Sequence, residues 1–154
     1  MKSYPDLLLD FEKVSDKLTK LIQSFPVSKI EDVVFDKWSL KNVVSHLNHW
    51  IIHDIDCIKS LIAGKVPHWE PDIEVFNTRG VDKRRDLNWD IIFNEFLKLK
   101  NELLNLYKNL GEEYRHKKIW PDKNETPYKF LNEDIKHWQG EHISQLEEYF
   151  KKNK

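Results

Sequence analysis

In four separate stretches of this chain, apolar residues recur at spacings of three and four, the repeat that lays a single stripe along an α-helix. The first stripe is Leu7, Leu8, Phe11, Val14, Leu18, Leu21, Ile22 and Phe25, stopped by Pro26, and it predicts a helix over roughly residues 5 to 25. The second runs through Leu40, Val43, Val44, Leu47, Ile51, Ile55, Ile58 and Ile62. Ser39 suits its N-cap, because a hydroxyl there accepts a bond from a free first-turn amide, and Gly64 suits the left-handed position at its end. Asn88 caps a third stripe, Ile91, Ile92, Phe96, Leu99, Leu103, Leu106 and Leu110, which ends at Gly111. Thr126-Pro127 opens a fourth, through Phe130, Leu131, Ile135, Trp138, His142, Leu146 and Tyr149 to about Phe150.

Four amphipathic helices of this length, none apolar all round, pack as an all-α four-helix bundle. The 154 residues suffice for a single domain spanning the chain, and 4 Gly and 6 Pro leave few places to break the helices. A long connection, Lys65 to Leu87, separates helices two and three; within it Ile73, Phe76 and Asn77 suit a short turn of helix, and Lys83-Arg84-Arg85 reads as a solvated loop.

Composition narrows the function. Lys plus Arg number 25 and Asp plus Glu 26, a balance that leads us to expect no nucleic-acid partner. A mean hydropathy of −0.68, with no long apolar stretch and no signal-like start, predicts a cytoplasmic protein without membrane contact. A single cysteine, Cys57, excludes an internal disulfide and a cysteine-based zinc finger. The surplus lies in 6 Trp and 7 His.

Two histidine groups stand out. His46, His49 and His53 lie three and then four apart on helix two, along one side. On helix four, His142 falls on the apolar seam with Leu131, Ile135, Trp138 and Tyr149, so it is expected to point inward and to need a partner, for which His46 is the obvious candidate. His137 lies five residues before His142, about 140 degrees away around a regular helix, so the two are not expected to aim at one point. The position four before His142 holds Trp138.

With Trp38-Ser39 and His46-Leu47 on the second helix, and His142 followed by Gln145-Leu146 on the last, the chain resembles the DinB superfamily of metalloenzymes. That superfamily includes the bacillithiol- and mycothiol-dependent transferases and the ClbS/DfsB group. The likeness spans nearly the whole chain, including the long second connection with Trp69, Phe76 and Asn77. It implies a bundle, often a homodimer, in which a divalent metal such as Zn or Ni is held by one histidine of helix two and two of helix four. Carried onto this sequence, the ligands are His46 and His142, and the remaining one falls on Trp138, whose indole nitrogen only donates. His49, turned inward, is the candidate third ligand, with Glu141 and Asn77 also within possible approach.

With a metal, the site would activate a bound water or low-molecular-weight thiol for hydrolysis or thiol transfer, in a detoxification role. Without one, a pocket walled by Trp50, Trp69, Asn77 and Trp138 would hold a small-molecule ligand, with His46 or His142 as acid or base, as the ClbS/DfsB likeness implies. A bundle that has lost catalysis and serves as a dimeric interaction module is the third reading.

Overall fold

A computed structural model describes residues 1–154. Helix α1 spans Tyr4–Gln23, α2 Leu40–Ile62, α3 Ile73–Lys83, α4 Trp89–Lys108, and α5 is a short turn, Glu112–Arg115. Helix α6, Pro127–His137, continues without a break through a π-helical turn, Trp138–Ile143, into α7, Ser144–Lys152. Helices α1, α2, α4 and the composite α6–α7 form the four-helix bundle, and α3 packs on α2 as an extra element within the long connection. No strand forms, and no helix is long and apolar enough to cross a membrane.

The caps sit where the residue types place them. Ser39 accepts from the Asn42 amide at 3.1 Å while Asn42 accepts from the Ser39 amide at 3.0 Å, closing a reciprocal cap on α2. Asn88 accepts from Ile91 and Thr126 from Lys129, and Gly64 takes φ +73° beyond the end of α2. Before α2, Phe35 and Trp38 exchange both backbone hydrogen bonds across Asp36-Lys37, with Asp36 at φ 57°, a conformation a short polar side chain tolerates. This tight turn delivers the Trp38 ring onto His46, centroids 4.8 Å apart.

The core runs the length of the bundle. Phe11 is fully buried against Tyr107 and Trp138, and Leu18, Leu40, Leu47, Ile58, Phe96 and Leu103 are equally enclosed. Each such side chain contributes about 1.5–3 kcal/mol of transfer free energy. One part of the charged connection is not solvated: Arg84 is buried and makes a two-pronged pair with Glu95, 2.6 and 3.2 Å, while Asn48 donates to the same carboxylate at 2.7 Å. That network ties α2, α4 and the end of α3 together. Lys83, the last residue of α3, and Arg85 stay exposed, as expected. Gly80 allows the close approach of α3, since a Cβ there would stand 2.6 Å from the Cβ of His49.

Candidate functional site

Helix four departs from regular geometry at the residues the site needs. Between Trp138 and Ile143 the helix carries one extra residue per turn, so positions five apart stack as positions four apart do elsewhere. Ser144 helps hold the turn by donating its hydroxyl to the carbonyl of Gln139 at 3.1 Å. The expectation that His137 and His142 point apart is therefore corrected. Their Nε2 atoms lie 2.9 Å apart.

His46 completes the cluster from α2, its ring centroid 5.4 Å from those of both His137 and His142. One ligand-capable atom from each of the three histidines falls within 4.8 Å of the others. His46 and His142 are 4% and 1% exposed, and the Nδ1 of each has no hydrogen-bond partner. Burial disfavours the charged imidazolium and pushes His46 down to about 3, helped by repulsion from His137; it also drives His142 well below the usual range. His137 is lowered by burial as well, against the opposing pull of Glu141, whose carboxylate lies 3.1 Å away. All three rings are neutral at pH 7, the form that binds metal ions.

Two of the residues singled out in the sequence lie elsewhere. His49 is not turned toward the cluster; its ring packs on Phe76 at 4.2 Å beneath Gly80, because its place on α2 faces α3 rather than helix four. Trp138 is neither a ligand position nor a pocket wall. It is 2% exposed and packs on Phe11 and Phe96 in the core, because the π turn rotates the position four before His142 away from the site and puts His137 in its stead.

The cluster opens onto a cavity of about 590 Å³, within the range of small-molecule sites. His46 and His137 line one end, and His142 lies behind them. Trp50, Trp69 and Asn77 line it as expected, and Trp50 donates its indole N–H to Asn77 Oδ1 at 2.6 Å. Trp38, Trp120 and Phe130 join the wall, and were not singled out for it; each lies in a cap, a connection or a helix stripe that reads equally well as packing.

A second polar centre lies along the same wall, its Asp134 one turn before His137 on α6. Asp54 of α2 and Asp134 of α6 perturb one another's titration, and Tyr107 donates to Asp134 Oδ2 at 2.7 Å. Burial raises Asp54 to about 7 and Asp134 well above the ordinary carboxylate range, so the pair retains a proton. His53 bridges this pair to Cys57, with Nδ1 3.1 Å from Asp54 and Nε2 3.6 Å from the thiol, which burial pushes up to about 12. The thiol is thus protonated and inert. Asp54 was hidden in the sequence among the apolar residues of helix two, and Asp134 among the charged and histidine neighbours Glu133, Lys136 and His137 on helix four.

No sequence family matches the chain, and no curated protein matches it. Its backbone nevertheless superposes on two solved structures. One is an uncharacterised protein from Escherichia coli UTI89, with TM-score 0.85 and 19% identity over 99% of this chain and 95% of the other. The second is the colibactin self-resistance protein ClbS in complex with a dsDNA, with TM-score 0.81 and 14% identity over 96% of this chain and 95% of that one. That complex corrects the expectation of no nucleic-acid partner. A near-neutral balance of charge over a whole chain says little about one face of it, and this fold does accommodate a duplex in ClbS. The chain is an all-helical bundle with the fold of ClbS, as its resemblance to DinB-like proteins implied.

Proposed function

We propose that this protein is a small-molecule enzyme in which His46, His137 and His142 hold a divalent metal at one end of the cavity. The observation that carries the reading is the convergence of three neutral imidazoles within 4.8 Å, two of them with unpartnered buried nitrogens. Three histidine nitrogens with room for a further ligand on the cavity side match the donor set of a catalytic zinc centre. Such an ion would supply Lewis acidity and lower the pKa of a bound water or thiol toward neutrality.

The chain's own residues would do the rest. Glu141 is the carboxylate nearest the cluster and is placed to take a proton from a nucleophile arriving beside His137. Asn77, its carbonyl engaged by Trp50, positions a polar group beside His46, and the aromatic wall excludes water from a bound ligand. Hydrolysis or thiol transfer fits this arrangement, with removal of a reactive small molecule as the role. Self-resistance, the role of ClbS, is of that kind. Duplex DNA enters as a candidate macromolecular ligand on the strength of the ClbS complex, and a homodimer on the strength of the DinB resemblance. Anisotropy with a labelled duplex at low and high salt, and sedimentation at micromolar concentration, test these two.

One observation favours a metal-free variant of the same site. The Nε2 atoms of His137 and His142 lie at 2.9 Å, a hydrogen-bonded pair, whereas two nitrogens on a tetrahedral zinc stand about 3.3 Å apart. In that state one ring donates and the other accepts, and the pair serves as acid and base. Metal analysis of protein purified without chelator decides between them. We expect about one equivalent of zinc or nickel, and near none in His137→Ala. Equally low content in wild type and variant under metal-replete conditions would transfer the site to acid–base chemistry.

A further inference from the structure

The chain is balanced in charge overall, but the cavity is not. Its wall carries six carboxyl groups, Asp54, Glu70, Glu125, Glu133, Asp134 and Glu141, and no lysine or arginine. Few of these are neutralised by neighbours: Arg79 meets Glu70 at 3.5 Å, Lys136 meets Glu133 at 4.0 Å, and Glu125 has no cationic partner.

The remaining wall is aromatic. Trp38, Trp50, Trp69, Trp120 and Phe130 face the same space, and indole rings attract cations through their electron-rich faces. The structure already holds one such contact at the rim, where Lys123 Nζ sits 4.7 Å from the centroid of Trp69 without itself lining the cavity. Trp50 has no cation of its own. Independently of both features, His46 lines the cavity at 4% exposure with an unpartnered Nδ1, a buried polar atom that a ligand would satisfy.

We propose that the cavity selects small molecules bearing a positive charge, an amine, amidine or quaternary ammonium on an apolar body. The charge is held beside Trp50 and the carboxyl groups, and the body extends toward the histidine end, where a donor group on it would meet His46 Nδ1. This rests on reading the cavity as a small-molecule site. It also sets the class of co-substrate: a thiol carrying carboxylates meets like charge from the carboxyl groups of the wall, so a neutral or cationic thiol is the better fit.

The test uses the full chain and three probes of one size: benzyltrimethylammonium, benzyl alcohol and benzenesulfonate, titrated at low ionic strength by calorimetry and tryptophan fluorescence. The cation should bind at least about tenfold tighter than the alcohol, and the sulfonate should not bind measurably. Both Glu125 and Glu133 sit at least partly in solvent, so a Glu125→Gln/Glu133→Gln double variant should keep the fold and weaken the cation several-fold while leaving the alcohol unchanged. Trp50→Leu, checked for helicity, should do the same. Equal binding of cation and alcohol, tighter binding of the sulfonate, or cation binding indifferent to all these substitutions would overturn the charge selectivity alone. Failure of all three probes would overturn both the selectivity and the small-molecule reading, whereas cation binding in a protein that takes up no metal would leave the selectivity standing.

Discussion

The two polar centres of the cavity wall answer the same physical problem in opposite ways. At one, burial strips the proton from His46, His137 and His142; at the other, it keeps a proton on the Asp54–Asp134 pair. Both outcomes reduce the charge held in a dry environment, yet they leave different chemistry behind: lone pairs that can take a metal, and a carboxyl pair with an exchangeable proton. The histidine centre lacks internal partners for two of its nitrogens, whereas the carboxyl centre is satisfied by Tyr107 and His53.

The largest expected effect breaks this contrast outright. His137→Ala should abolish metal uptake while Asp134→Asn leaves it intact, measured by metal content after loading with zinc and desalting; loss in both would make the two centres one site. Next comes the pH dependence of stability in chelator. Five histidines, His46, His49, His53, His137 and His142, have folded values below their unfolded one, so the stability tied to them is full above pH ~6.5 and is lost as pH falls. Each fully depressed histidine adds a slope of about 1.4 kcal/mol per pH unit below that point.

The carboxyl pair has the opposite sign. Its folded values are raised, so its contribution is full below pH ~4 and is lost as pH rises through about 7 for Asp54. Urea midpoints should therefore pass through a maximum near pH 6.5, where the histidines have finished titrating and the carboxyls have not. A midpoint that keeps rising to pH 8 would mean the pair retains no proton.

Tyr107→Phe comes third, with a loss of about 1–3 kcal/mol from leaving Asp134 without its donor. Chemical denaturation at pH 6 measures it, and metal content should not change. The smallest effect tests the helix itself. Deleting Gly140, whose position in the π turn faces open space, should convert the turn to regular α-helix and set the two histidines four apart. Metal content should be retained, with stability changed by no more than ~1 kcal/mol; loss of the metal would show that the five-residue spacing is required as such.

Much of the bundle was legible because helices announce themselves locally. Ser39, Asn88 and Thr126 act through bonds to residues three positions on, and Gly64 through its own backbone, so each cap could be read in place. The site was legible only in part. His46 and His142 were picked out by their place on apolar seams, but the argument that dismissed His137 assumed 3.6 residues per turn through a segment that does not keep it. Trp138 and His49 were misplaced for different reasons: the first by the π turn, the second because α3 covers its side of α2.

Local chemistry in the sequence determined the four helices, their caps and the residue types available for a site, since these depend on neighbours within a turn or so of chain. Tertiary structure decided which imidazoles meet, which carboxyls keep a proton, and that a charge-balanced chain presents an acidic, aromatic cavity. Those depend on helix register and on how much water packing removes, and both belong to the assembled bundle rather than to any segment of it.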